Sequence, residues 1–281
     1  MEMLNLLEPY PLGSYGFGSS RTIAAMTEAM KIAYADRAEF MGDSDFYSVP
    51  ADRLISKEYA AERRAFLDTT KATPSRQISH GGIVVKEGMH TTHYSVVDRW
   101  GNAVSVTTTI NSWYGNKIVV DGAGFFLNNE MDDFASKPGA PNQFGLVGGV
   151  ANSVQPNKRM LSAMTPTIVL KDGQPYLILG SPGGSTIITS VFQVMVNVLD
   201  YRMNVGEAND APRFHHQWLP DTLQSERFGF PRDVVENLEQ RGYFVRQRGT
   251  LGRVEAILID RKDGFLYGST DPRGYGAAVG Y

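Results

Sequence analysis

An α+β fold, with antiparallel sheets covered by helices, is what this 281-residue sequence predicts. Three observations carry that prediction. Apolar residues recur at three- and four-residue spacing over 20–41 and again over 185–200, as helices with a buried face require. Two pairs of apolar and β-branched runs fold back around short turns, Asp98-Arg99-Trp100-Gly101-Asn102 and Lys171-Asp172-Gly173-Gln174, so each pair reads as a hairpin. Helical segments stand towards both ends of the chain with the hairpins between them.

Taken in order, residues 1–18 are turn-rich, with Pro9, Pro11, Gly13, Gly16 and Gly18 close together. Ser19-Ser20 is a good helix cap for 20–41, where Ile23, Met26, Met30, Ala33, Arg37 and Phe40 share a face and Gly42 ends the helix. The methionines on that face are core packing. A second helix is expected over 56–67, with Arg63-Arg64 on a solvated face. Residues 68–89, with Pro74, Gly81, Gly82 and Gly88, read as a mobile connector leading to Thr91. The strand that follows puts Thr91, His93, Ser95 and Val97 on one face and Tyr94, Val96 and Asp98 on the other, and a second run, 103–111, returns beside it. An apolar stretch from Gly122 ends in Asn128-Asn129-Glu130-Met131-Asp132-Asp133. Residues 138–149 are too rich in Gly and Pro for a regular element, and loops of that size are usually functional. The hairpin over 164–179 runs into Gly180-Ser181-Pro182-Gly183-Gly184-Ser185, then into the helix at 185–200, which suits a cover over a sheet. Short helices are expected near 205–211 and over 231–241, the latter opened by Pro231 and closed by Gly242, and strands over 243–270.

Composition excludes several functions. With a formal net charge of -3 the chain lacks the basic surface that nucleic acid demands. It has no cysteine, so disulfides, thiolate nucleophiles and Cys-ligated zinc are out. The five histidines lack metal-ligand spacing, and no metal or other cofactor is expected. No apolar run approaches the roughly 20 residues of a membrane-spanning helix. Met1-Glu2-Met3-Leu4-Asn5 does not open a signal peptide, which points to the cytoplasm if the chain is complete. The 180–186 segment lacks the lysine of a phosphate-binding loop.

Two groups of residues carry candidate chemistry. Glu130, Asp132 and Asp133 admit three readings: paired acid and base, a solvated turn, or carboxylates that hold a substrate ammonium. Thr91, in a Thr-Thr pair, is either a nucleophile or a residue favoured by a strand.

Beyond these patterns, from about residue 16 onwards the chain resembles the γ-glutamyltranspeptidase (glutathione hydrolase) family of N-terminal-nucleophile hydrolases. The matching blocks are Tyr15-Gly16-Phe17-Gly18, Ala33-Tyr34-Ala35-Asp36-Arg37, Gly42-Asp43, Thr91-Thr92-His93-Tyr94-Ser95-Val96-Val97-Asp98, Leu127-Asn128-Asn129-Glu130-Met131-Asp132-Asp133-Phe134, Pro156-Asn157-Lys158-Arg159, Gly180-Ser181-Pro182-Gly183-Gly184 and Ala211-Pro212-Arg213-Phe214-His215-His216-Gln217. The resemblance implies a four-layer αββα sandwich, incomplete here because most of the family's large subunit is absent. It implies a precursor that cuts itself at His90-Thr91 into 1–90, the end of a large subunit, and 91–281, a small catalytic subunit, which stay together as a heterodimer. Thr91 is then the nucleophile, with its own freed α-amino group as base. Thr109 hydrogen-bonds the nucleophile's hydroxyl, and Gly183 and Gly184 supply the N–H donors of an oxyanion hole. Asn111, Glu130 and Asp133 hold the amino group of the γ-glutamyl unit, and Ser162 its carboxylate. Residues 138–149 correspond to a lid loop, with Phe144 as an aromatic wall, while His215 and His216 are structural. The implied substrates are glutathione as donor and water, an amino acid or a dipeptide as acceptor. Family members are commonly periplasmic, secreted or membrane-anchored.

The chain departs from the family pattern at two places. The family's large subunit is much longer than 90 residues, and its arginine for the substrate carboxylate is expected upstream of this chain. Ala163 stands where many members have a second serine beside Ser162, so one hydroxyl is missing there. Two alternatives accompany the main expectation: an acylase for glutaryl side chains of β-lactams on the same fold, and a catalytically silent fragment that serves as a binding or assembly module.

Overall fold

The computed structural model describes residues 1–78, 91–143 and 145–280. Helices α1 (Glu2–Leu7), α2 (Leu12–Tyr15), α3 (Ser20–Phe40), α4 (Ala51–Leu54), α5 (Lys57–Arg63) and α6 (Ser75–Ile78) come first. Strands β1 (Thr91–Val97), β2 (Ala103–Thr109), β3 (Thr167–Lys171) and β4 (Gln174–Gly180) follow, then helices α7 (Thr186–Leu199) and α8 (Val205–Asp210). The chain ends with β5 (Phe214–His215), β6 (Leu223–Glu226), α9 (Arg232–Gln240), β7 (Val245–Arg248), β8 (Glu255–Ile259) and β9 (Leu266–Ser269). By packing, these elements form two units. One comprises Met1–Glu87, Glu130–Ser162 and Phe214–Gly249, the other Gly88–Asn129, Ala163–Arg213 and Thr250–Tyr281.

The first unit is built around α3. Ser19 caps it, its side chain accepting from the Thr22 N–H at 3.1 Å. Ala24, Ala25, Ala29, Met30 and Ile32 are all fully buried, so the helix is enclosed nearly all round, a wider apolar surface than one stripe. Small alanines let α1 and α9 approach it closely. Strands β5 and β6 pair antiparallel, and β6 and β7 pair parallel with α9 as the crossover that a parallel pair needs. Three expectations are corrected here. The turn-rich start contains α1 and α2. Arg63 and Arg64 are half-buried and paired: Arg63 grips the buried Asp36 with two bonds of 2.9 and 2.8 Å, and Arg64 donates to the Asn5 carbonyl at 2.9 Å. The described part of the connector ends in α6, where the Ser75 N–H donates to Asp221 and the Ser75 carbonyl accepts from Trp218 Nε1. Its remainder, 79–89, lies outside the described residues, as do His80, His90 and Phe144.

The second unit is layered. Strands β1 and β2 form an antiparallel hairpin in the register Thr91 to Thr109 and Val97 to Ala103. A four-stranded antiparallel sheet has the order β3-β4-β8-β9. The hairpin and α7 both pack against β4, whose Leu177, Ile178 and Leu179 are fully buried, so this strand is covered on both faces. That is why its sequence is a continuous apolar run. Tyr94, Val96 and Val104, on the other face of the hairpin, are about half exposed.

Candidate active site

Alternation along β1 puts Thr91, His93, Ser95 and Val97 on its inward face and leaves Thr92, Tyr94 and Val96 exposed. The hairpin register sets Thr91 opposite Thr109, and the Thr91 hydroxyl donates to Thr109 Oγ1 at 3.1 Å. Thr109 Oγ1 also accepts the Asn111 N–H at 2.8 Å. Asn111 is buried, in the left-handed region at φ 72°, which asparagine tolerates better than most residues. Its Nδ2 donates to the Asn129 carbonyl at 3.2 Å. Asn129 in turn bonds Ser112 twice, accepting from its N–H and donating to its hydroxyl. The two threonines, Asn111 and the end of the 122–129 segment are thus one hydrogen-bonded group.

His93, two residues along from Thr91, fixes the next component. Its ring lies against the backbone of Gly180, where any Cβ would come within 2.3 Å of the ring. Nδ1 is 2.8 Å from Thr107 Oγ1 and Nε2 is 3.1 Å from Ser95 Oγ. Burial pushes the His93 pKa down to about 4, so the ring is neutral at pH 7 and bridges two hydroxyls. Three residues after Gly180 come Gly183 and Gly184, with φ of 141° and 55°, both in the region that favours glycine. They lead into α7, whose first turn closes on them: Thr186 donates to the Gly183 carbonyl through both its N–H and its hydroxyl, and the Ile187 N–H donates to Gly184. Gly252 backs this turn, its Cα 3.2 Å from where a Cβ of Gly183 would stand. Ala163 belongs to this unit too, its carbonyl accepting from the Thr165 hydroxyl.

Glu130, Asp133 and Ser162 lie in the first unit. A 3-10 turn, Glu130–Asp133, presents both carboxylates half-buried. Burial raises the pKa of each. Asp133 is pushed up to about 7, with Arg37 pulling it down and Glu130 and Asp132 adding to the rise. Two neighbouring acids that are costly to ionise form an arrangement that a cation relieves, because an ammonium beside them lowers both pKa values. Asp132 has a different duty: its Oδ2 accepts the Gln143 N–H at 2.8 Å and holds the 138–149 loop, which is tied by the Pro141–Val147 bridge. Ser162 sits beside α3, its carbonyl accepting from Arg37 Nη2 at 3.4 Å. The segment before it is clamped by Arg159, which reaches Asp43 with bonds of 3.0 and 2.6 Å while the Arg159 N–H adds a third. His215 and His216 are buried. His215 bonds Gln217 and meets the Tyr34 ring edge-on, while His216 accepts the Trp218 N–H at Nδ1 and donates from Nε2 to Asp221. Among the described residues no group of His, Asp and Glu is arranged to hold a metal, and no helix is long and apolar enough to cross a membrane.

The sequence-predicted residues therefore fall into two sets. Thr91, Thr109, Asn111, Gly183, Gly184 and Ala163 are in one unit, and Glu130, Asp133 and Ser162 in the other. Reasoning from sequence overlooked His93, Asn129 and Arg37 as working parts, although all three lie inside the matching blocks. For His93 the signal was a polar ring within a β-branched strand, whereas Asn129 and Arg37 stand beside other polar residues that mask them.

Residues 1–281 match the family described as gamma-glutamyltranspeptidase. The glutathione hydrolase proenzyme of Escherichia coli K12 is 52% identical over 273 residues, covering 97% of this chain and 47% of the relative. The chain spans about half the length of the curated relatives it matches. A solved gamma-glutamyltranspeptidase mutant from Helicobacter pylori is 60% identical with a TM-score of 0.63, and the match covers 65% of this chain and 100% of that one. A cephalosporin acylase from Bacillus halodurans is 27% identical with a TM-score of 0.75, and the match covers 100% of this chain and 50% of that one.

Proposed function

The chain belongs to the gamma-glutamyltranspeptidase family, and from that premise we propose that it transfers γ-glutamyl groups from glutathione and similar compounds to water, amino acids or peptides through an acyl-enzyme on Thr91, after scission at His90-Thr91. The fold is the α+β arrangement of the N-terminal-nucleophile enzymes, of which this chain covers part. The observation that carries the proposal is the 3.1 Å bond between the Thr91 and Thr109 hydroxyls. It fixes the position of the Thr91 oxygen at the start of β1. Scission supplies the base: the Thr91 nitrogen is an amide in the continuous chain and a free amine afterwards. An unperturbed α-amino group titrates near ~7.7–8.0, so roughly a tenth to a sixth of it is neutral at pH 7 without any shift.

In the reaction the Thr91 amine takes the hydroxyl proton as Oγ1 bonds the γ-carbonyl carbon. The N–H groups of Gly183 and Gly184 receive the developing oxyanion, a role in which one donor is typically worth ~3–4 kcal/mol of barrier. The carbon–nitrogen bond breaks, the leaving amine carries away the proton, and water or an acceptor amine then releases the acyl group by the reverse exchange. Asn111, Glu130 and Asp133 hold the substrate's α-ammonium and Ser162 its α-carboxylate. Ala163 adds no hydroxyl, which leaves that carboxylate one hydrogen bond short, about 1.5–3 kcal/mol for a charged acceptor. The half of the relatives that this chain does not span supplies the rest of the enzyme. In support of scission, the solved Helicobacter pylori chain is matched end to end by 65% of this sequence, and about two thirds of the sequence lies after residue 90.

A second reading, glutaryl acylase, draws support from the cephalosporin acylase that aligns with the full chain. Glu130 and Asp133 argue for the first reading, since a glutaryl group has no amine. Intact-mass measurement on the purified protein, followed by rates on γ-glutamyl and glutaryl anilides, tests both. Two pieces parted before Thr91 and faster turnover of the γ-glutamyl compound are expected. One unbroken chain with no turnover, or preference for the glutaryl compound, overturns the proposal.

A further inference from the structure

Within the first unit the Asn152 side chain joins the turn that carries Glu130 and Asp133 to the segment that ends in Ser162. Asn152 closes the 3-10 turn Val150–Asn152 and is 5% exposed. Its Oδ1 accepts the Leu161 N–H at 3.0 Å, and its Nδ2 donates to the Asp133 carbonyl at 2.7 Å. Its own carbonyl accepts the Ala135 N–H at 2.9 Å. The orientation of the amide is determined by these partners, because a flip would face carbonyl to carbonyl and N–H to N–H. The turn beneath it is itself seated. The Gly149 N–H donates to the Ala38 carbonyl on α3 at 2.8 Å, and Gly42 lies so close that a Cβ there would be 2.1 Å from the Ala151 oxygen. Asn152 is therefore an anchored crosspiece with one arm on each segment.

We propose that Asn152 is a positioning residue for the donor substrate: by bonding Asp133 and Leu161 through one rigid amide, it sets the spacing between the carboxylates that hold the α-ammonium and the serine that meets the α-carboxylate. This rests on the reading of Glu130, Asp133 and Ser162 given above. Asn152 touches neither substrate nor the reacting atoms. Its effect is selective for a donor that carries both groups, because only such a donor senses the distance between the two segments.

The test compares three anilides on the full-length protein: γ-L-glutamyl, glutaryl, which lacks the amine, and 4-aminobutanoyl, which lacks the carboxylate. N152A is expected to lower kcat/KM on the γ-glutamyl compound by roughly 10- to 100-fold, mostly through KM, as displacement by about an ångström does. On the two single-group compounds it changes kcat/KM by less than about threefold. N152D keeps the Leu161 bond and the side-chain volume but sets an acceptor against the Asp133 carbonyl. It is expected to show the same selective loss, and it decides the matter should N152A fail to fold. Equal losses on all three compounds, or no loss on any, overturn the inference while the substrate reading stands. A wild-type enzyme that treats the three compounds alike overturns the substrate reading and this inference together.

Discussion

Replacing Gly180 by alanine tests the packing that links the hairpin to the glycine turn. The added methyl would stand 2.3 Å from both Cε1 and Nδ1 of His93 and 2.9 Å from Nε2. The ring has no free direction in which to yield, since one nitrogen is tied to Thr107 and the other to Ser95. Overpacking of this kind costs about 1–3 kcal/mol. If the ring swings away instead, it forfeits up to two hydrogen bonds of ~0.5–1.5 kcal/mol each. Either way G180A should lose roughly 1–3 kcal/mol of stability, which thermal unfolding reads at about 2–4 °C per kcal/mol for a chain of this size. A double-mutant cycle separates this clash from the general cost of substituting a glycine. In an H93A background the three nearest atoms are gone, so adding G180A should cost far less than in wild type, roughly 0.5 kcal/mol or less. A G180A protein as stable as wild type, or a double variant whose losses simply add, would show that the His93–Gly180 contact does not couple these elements.

Three further outcomes follow from the site. Thr109→Val removes the acceptor of the Thr91 hydroxyl, so acylation measured in a single turnover should slow by roughly 2- to 12-fold, with Thr109→Ser retaining most of the rate; an unchanged rate in T109V refutes the role. Asp133, raised to about 7, gains its charge as pH rises through that value. KM for a γ-glutamyl donor should therefore fall across that range in wild type and stay high and flat in D133N, and a wild-type KM without this slope refutes the ammonium role. The same raised pKa means that Asp133's contribution to stability is fully present below its unfolded pKa near ~3.9 and is lost as pH rises towards 7. His93 acts in the opposite direction. With a folded pKa lowered to about 4 from an ordinary value near ~6.5, its stabilisation is intact above ~6.5 and is lost as pH falls from there to about 4. Denaturant titrations at several pH values should show this acid-side loss in wild type and a shallower one in H93Q; equal slopes count against the buried neutral ring.

How much of this was legible in the sequence depended on the range of the interaction. Helix α3 could be read almost to the residue, because its cap and its apolar spacing are local. The partners of Arg63 and Arg64 could not, because Asp36 and Asn5 are distant in sequence and an Arg-Arg pair on a short helix carries no mark of them. Thr91 shows the same limit at the site. A Thr-Thr pair in a strand is ordinary, and only resemblance singled it out, yet its bond to Thr109 follows from the hairpin register once the turn at 98–102 is recognised. The least legible residues were those whose side chains bind backbone. Asn111 and Asn152 direct their amides to the carbonyls of Asn129 and Asp133, and such bonds impose no requirement on the type of the partner residue. Charge pairing and apolar spacing leave traces at both ends of a contact, whereas an amide on a carbonyl leaves one at a single end. A buried asparagine after a Gly-Gly pair, as at Gly148-Gly149-Val150-Ala151-Asn152, is therefore the kind of sequence signal worth seeking, since burial of an amide is tolerated only where the backbone around it supplies partners.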